Sequence, residues 1–397
     1  MREQDEAMSG MRDPVQHLVI GGGPAGSMLA MRLAGAGRAV ALLDKEREPH
    51  HKVCGEFLSR EAVAYLEQAG IKPRELGASA ITRIRLTSGR RTVESQLPFT
   101  ALSLSRLVLD EALLKRAEEA GCKIRRGAVA EQLERHESGW SVRLRSAERI
   151  HAQTVFLATG KHDLHGWERR GGVQTDLVGF KMHWRLAPVQ TEGLRGAMEL
   201  FLFRSGYGGL SLIEGEAANL CLVVRRKRLG ALGGWSELLQ SMCEKLPLLR
   251  SRLKDATACW AKPLAISPIP YGYLGKPADG VWRVGDQAAV IPSFTGDGMS
   301  IALHSGSLAA EMYLADRSAE DYTLCLNEQL CSGMRLASLL SQAMVMPPGR
   351  ILAPFLLSPF PNLLERIASL TRIPDCALVV AAMCNENPTA RRPIPIL

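Results

Sequence analysis

Three glycines and an acid set the first chemistry this chain can support. Gly21, Gly23 and Gly26 stand at the G-x-G-x-x-G positions of GGGPAGS (21–27), and Asp44 ends the next apolar stretch, VALLD (40–44). Glycine there permits a tight turn, lets backbone approach a pyrophosphate, and allows a helix to pack closely on a sheet. A helix opening at Pro24, Ala25 and Gly26 turns unpaired N–H groups and the positive end of its dipole toward phosphate. Asp44 lies at the spacing where a carboxylate accepts hydrogen bonds from an adenosine ribose, with Lys45 beside it as a further candidate contact. A dinucleotide is expected here.

The second group is VGDQAAVIPSFTGDG (284–298). An apolar strand delivers Gly285-Asp286, a proline-containing turn follows, and Gly296-Asp297-Gly298 opens a helix with small residues at Ala302, Gly306, Ala309 and Ala310. Asp286 can hold a ribityl hydroxyl there. Amides at Gly298 and Met299 can sit against a flavin ring, where their partial positive charge favours the negative charge gained on reduction. The plainer alternative makes Asp297 a helix cap and Asp286 a strand end. Two such elements in one chain point to FAD more than to NAD.

The elements that position these residues follow from hydrophobic periodicity. A strand from His17, a helix to about Gly35 and a second strand to Asp44 form a βαβ beginning. Ser59 caps a helix that Gly70 stops, and Ser105 caps another that ends at Gly121, with Arg106 in its first turn as an ordinary arginine or a phosphate ligand. Residues 80–97 alternate and turn at Ser88-Gly89, which reads as a hairpin. The strand Thr154–Ala158 returns to the nucleotide sheet and ends at Thr159-Gly160. From Gly171 to about Lys262 long alternating strands predict an antiparallel sheet, with Phe180, Met182, Trp184 and Leu186 on one face as core or ligand wall. A helix is predicted over Trp235–Lys245 and another over Met334–Met346. Ile351–Leu370 is apolar and broken by Pro354, Pro359 and Pro361: a packed helical part, a tunnel closure or a membrane contact.

Composition narrows the class. The chain has 397 residues, 46% of them hydrophobic, and a net charge of +8, with Lys and Arg scattered among acids. No basic block interleaved with aromatics appears, so nucleic acid is not an expected partner. Nine cysteines without a C-x-x-C pair argue for reduced thiols in the cytoplasm, and against disulfides or structural zinc. No metal is expected: His50 and His51 read as solvated loop residues and Cys54 as a small buried hydrophobe. The first fourteen residues read as a polar leader, the tail Arg391–Leu397 as mobile, and no run is long enough to span a bilayer.

Taken together, GGGPAGS (21–27), Asp44, KVCGEFLS (52–59), the helix start Ser105-Arg106…Leu109-Asp110 and residues 284–298 resemble the FAD-dependent oxidoreductases that include the aromatic-ring hydroxylases and geranylgeranyl reductases. The resemblance implies an α/β fold, with a Rossmann-like FAD-binding domain (14–80, 102–168 and 270–330), an inserted antiparallel β-sheet substrate domain (81–101 and 169–269) and C-terminal helices (331–397). It implies Ala25 and Gly26 at the pyrophosphate, Arg106 on the phosphate side, Asp44 on the ribose and Ala130 at the adenine. Cys54 and Gly55 then lie beside the flavin, replacing the plainer reading of that loop, with Asp286, Gly298 and Met299 at the ribityl chain and ring. Gly160 and Gly296 complete the set.

Two stretches depart from the pattern. Residues 158–163 read Ala-Thr-Gly-Lys-His-Asp where hydroxylases carry an Asp-Gly motif, and 206–212 read Gly-Tyr-Gly-Gly-Leu-Ser-Leu where isoprenoid reductases carry Tyr-x-Trp-x-Phe-Pro. The expected activity is a monooxygenase acting on a hydrophobic or aromatic small molecule, with NAD(P)H as a possible electron donor. The alternatives are a geranylgeranyl reductase-like enzyme acting on isoprenoid C=C bonds and a flavin-binding protein without turnover. No acid–base pair stands out, so no catalytic residue is assigned.

Overall fold

The computed structural model describes residues 15–169, 171–277, 280–349 and 362–379. The leader, the prolines at 354, 359 and 361, and the tail at 391–397 lie outside the described residues.

Two sheets organise the chain. The first runs in the order Lys123–Arg126, Val40–Asp44, Val15–Ile20, Arg149–Leu157, Gly139–Leu144, Ala130–His136, and Trp282–Arg283 also pairs with Arg149–Leu157. Its central strands are parallel and covered on both faces, which is why Val40–Asp44 is buried at every position and reads as an unbroken apolar run. The helix Pro24–Gly35 packs between this sheet and the helix Gly298–Leu314. Their backbones approach so closely that a Cβ on Gly306 would collide with the carbonyl oxygen of Ala25. Ser59 and Ser105 accept from the amides of Ala62 and Val108, capping the helices Arg60–Gln68 and Arg106–Glu119.

The second sheet has nine strands, ordered Thr257–Ala258, Leu177–Arg185, Ala218–Arg225, Gly206–Leu212, Gly196–Phe203, Ser79–Ser88, Arg91–Ser103, Phe57–Leu58, with Leu264–Ile266 also along Leu177–Arg185. Its pairs are antiparallel except Gly196–Phe203 with Ser79–Ser88, which are parallel. That exception follows from the connection: the chain leaves this sheet after Ser103, builds part of the first, and re-enters at Leu177.

Alternation sorts the second sheet into two faces. Val178, Phe180, Leu210, Leu220 and Leu222 pack with Leu238 and Met242 of the helix Trp235–Lys245, and Trp184 and Leu186 lie against the same cluster. The aromatic stripe is therefore core. The opposite face, with Leu86, Leu202, Tyr207 and Val223, looks toward the interior between the sheets. The expected helix over Met334–Met346 is the second half of one longer helix, Ala319–Val345, which starts with a capping box between Ser318 and Asp321.

Candidate functional site

A cavity of about 1070 Å³ is lined by both sheets and by the helices Ala319–Val345 and Asn362–Leu370. At one end stand Gly21, Gly23, Pro24, Ala25, Asp44, Lys45, Arg106, Ala130 and Gly160, and toward the second sheet follow Cys54, Gly55, Asp286, Gly296, Gly298 and Met299. Of the residues expected at the cofactor, Gly26 alone is not on the wall. It lies beneath the turn, where a Cβ would collide with the carbonyl oxygen of Gly21 and reach Ala158 Cβ at 2.9 Å.

The glycine turn has the shape that a pyrophosphate needs. Gly21 adopts φ +117°, and a Cβ on Gly22 would meet the Asp44 carboxylate. Ser27 N donates to Gly23 O, so the amides of Ala25 and Gly26 precede the first intrahelical bond of their helix. At Gly55, Gly160 and Gly298 a Cβ would meet no atom within 4 Å, so the backbone there faces open space. The cradle fits an extended dinucleotide, which when bound supplies two-electron redox chemistry at its flavin ring.

Arg106 lines the cavity and is also ion-paired. Its Nε and Nη2 donate to Asp110 at 2.6 and 2.8 Å, and Lys52 Nζ donates to the same carboxylate at 2.9 Å. Burial opposes the Asp110 charge, but Arg106 and Lys52 hold its carboxyl below the usual range. Arg106 still borders Gly23, with Nη2 at 3.4 Å from the place of a Cβ there. Asp286 is no mere strand end: it sits in the turn Gly285–Gln287, and its Oδ2 lies 3.3 Å from Lys161 Nζ.

Asp297 begins the helix Gly298–Leu314 without capping it. Its Oδ1 accepts instead from Arg372 at 2.8 Å, while Oδ2 is buried without a hydrogen-bond partner. Burial pushes this carboxyl up to about 7; Arg372 opposes the rise and Glu61 adds to it.

Sequence reasoning missed Glu56, Lys181 and His183. Glu56, buried and at φ +59°, accepts from Lys181 Nζ, from Arg106 N at 2.8 Å and from His183 Nε2 at 2.9 Å. Burial disfavours its charge, yet His183 and Lys181 keep the carboxyl below the usual range. His51 is half-buried rather than solvated; burial, then Lys181 and His183, lower it to about 4. His51, Glu56 and His183 offer ligand atoms within 4.8 Å of one another. The Glu56 oxygens are already occupied by three donors and Lys181 supplies the countercharge, so this is an ion network and not a cation cage. The signal in the sequence was Lys181 and His183, two apart on the strand face opposite the aromatic stripe.

Residues 14–163 match the family described as FAD binding domain. The chain is 28% identical to the digeranylgeranylglycerophospholipid reductase of Methanocaldococcus jannaschii, over 77% of this chain and 78% of that one. It is 24% identical to the menaquinone reductase of Mycobacterium tuberculosis, over 84% of this chain and 85% of that one. Among solved structures, the myxobacterial chondrochloren halogenase, described as FAD-dependent, superposes with a TM-score of 0.72 at 18% identity, over 91% of each chain, a likeness of fold. No described helix is long and apolar enough to cross a membrane. The glycine turn, the matched domain and these relatives agree: the chain carries an FAD binding domain over residues 14–163 and is similar to FAD-dependent oxidoreductases.

Proposed function

We propose that this enzyme reduces C=C bonds in a polyprenyl-bearing lipid. The observation that carries the reading is the sheet face of the cavity, where Ile84, Leu86, Leu97, Met198, Leu200 and Leu202 present apolar side chains without a charged one among them. A wall of this kind suits a hydrocarbon chain. The relatives that match most of the chain are named as reductases, which weighs the alternative of the sequence reading above oxygen insertion. FAD held at Ala25, Asp44 and Asp286 would supply the two electrons for such a reduction, with NAD(P)H as a candidate donor. Cys54 and Gly55 border the cavity, and the apolar wall keeps water from it.

Oxygenation of a hydrophobic or aromatic small molecule is the second reading, and the fold likeness to a halogenase favours it. Contact with a membrane surface is part of the proposal. Leu339 and Leu370 are exposed on helices whose other residues, Leu340, Met344 and Ile367, line the cavity. Incubation of the photoreduced protein with a menaquinone or a geranylgeranylated lipid tests the reading by product mass. A gain of two hydrogens supports it; a gain of one oxygen in air supports the second; no change over many hours with flavin fully reduced leaves a binding protein.

A further inference from the structure

We infer that Lys161 is a cation that holds the pyrophosphate of the cofactor, in addition to Arg106, which the resemblance places on the phosphate side. Three observations converge on it.

The first is position. Lys161 and Asp286 both line the cavity, and the turn that carries Asp286 abuts the cofactor helix: a Cβ on Gly285 would lie 2.9 Å from Ala25 Cβ. Ala25 stands at the amide end of that helix, where the backbone faces a phosphate. The ammonium of Lys161 is also close enough to Arg106, the neighbour of Gly23, for the two charges to interact.

The second is the way the backbone is pinned. Arg169 donates to Lys161 O at 2.9 Å, to Asp286 O at 2.7 Å and to Asp163 Oδ1 at 2.6 Å. Gln287 Nε2 donates to Gly160 O at 2.9 Å and to His162 O at 3.1 Å. Two side chains thus staple residues 160–163 to the turn Gly285–Gln287, and Lys161 projects from a fixed base.

The third is what each cation has left to give. Arg106 spends Nε and one Nη2 hydrogen on Asp110 and keeps Nη1, so it leaves room for a second cation at the phosphates. Lys161 has three N–H donors and one ion-pair partner, at 3.3 Å, beyond the 2.7–2.9 Å of a tight charge-assisted bond. Asp286 holds the ammonium in place and keeps it charged, lifting Lys161 above the usual lysine range while burial pulls the other way.

Apo-protein titrated with FAD, ADP and riboflavin tests the assignment without any turnover. Lys161→Met is expected to weaken FAD and ADP by about tenfold to a hundredfold, with riboflavin unchanged, and Lys161→Arg to recover most of the loss. The fall of FAD affinity with added salt should also become shallower in Lys161→Met. An apo melt accompanies each titration, and Lys161→Gln replaces the Met variant if that protein does not fold. FAD affinity within twofold of the parent overturns the inference. So does an equal loss for riboflavin, which would move the charge to the ring.

Discussion

The Asp297 carboxylate takes a 2.8 Å hydrogen bond from the Arg372 guanidinium, joining the glycine turn at the cavity to the last described segment of the chain. The same guanidinium reaches Glu61 at 3.3 Å and lies 4.3 Å from the centre of the Phe99 ring in the second sheet. One side chain therefore touches the cofactor turn, a helix of the first unit and a strand of the second. Arg372→Met leaves Asp297 buried without its cation, while Glu61 keeps Arg60 at 2.9 Å. Breaking such a pair costs about 3–5 kcal/mol. A lower melting point and earlier proteolytic cutting within 362–379 are expected; a cutting pattern like the parent's would contradict the clasp.

Asp297 also makes stability depend on pH. Its carboxyl is raised from 3.8 to about 7 in the folded chain, chiefly by burial. Between about pH 4 and 7 the folded state binds a proton that the unfolded state has released, so this group's contribution falls as pH rises through that window and is level above it. A tenfold change in proton affinity is worth about 1.4 kcal/mol, so the whole effect is a few kcal/mol. Asp297→Asn should gain on the parent as melts are taken from pH 5 to pH 8. A difference that stays constant across those melts removes the carboxyl as the cause.

Gly26→Val is expected to damage the fold itself and not only cofactor binding. The new Cβ would strike Gly21 O and crowd Ala158, both at the ends of strands in the first sheet. Backbone cannot give way as a flexible side chain does, and overpacking of this kind costs about 1–3 kcal/mol or more. The apo melt should fall by several degrees. An apo form as stable as the parent that merely lacks flavin would sink this account.

Glu56→Ala should be among the most damaging substitutions, at about 3–5 kcal/mol, because it strands the fully buried Lys181 ammonium. Glu56→Gln with Lys181→Met removes both charges and is expected to recover a large part of the loss. A double variant no better than the single one would show that geometry, not charge, makes Glu56 necessary.

Cysteine labelling offers a check on where Cys54 lies. Cys259 and Cys376 are exposed, and the Cys54 thiol borders the cavity. Brief treatment with iodoacetamide followed by peptide mapping should modify Cys259 and Cys376 in every form, and Cys54 in the apo-protein far more than with FAD bound. Equal labelling of Cys54 in both forms places it away from the cofactor.

Much of the cofactor end was readable because glycines and caps act locally. The Gly21–Gly26 turn, the Ser59 and Ser105 caps and the Asp44 strand end are each decided within a few residues. What escaped depends on partners far along the chain. Arg106 could be placed at a helix start, but that Asp110 is shared between Arg106 and Lys52 required knowing that residue 52 folds back on that helix. Glu56 lies more than a hundred positions from Lys181 and His183, and an alternating strand does not say which of its faces carries an ion network. The plainer alternative made Asp297 a cap because Asp before a helix usually is one; in the structure its oxygen accepts from Arg372 and not from the backbone amides.

The pairing of Trp282–Arg283 with Phe156–Leu157, and the seat that Gly306 leaves for Ala25 O, bear on synthesis. The first strand and its glycine turn leave the ribosome early, yet their last neighbours arrive some 280 residues later. For most of translation the apolar strands Val15–Ile20 and Val40–Asp44 have an incomplete cover. Contacts this distant in sequence close slowly. Cofactor capture is therefore a late event in the life of the nascent chain, and shortage of flavin during expression should show as degradation of new protein before it shows as loss of activity.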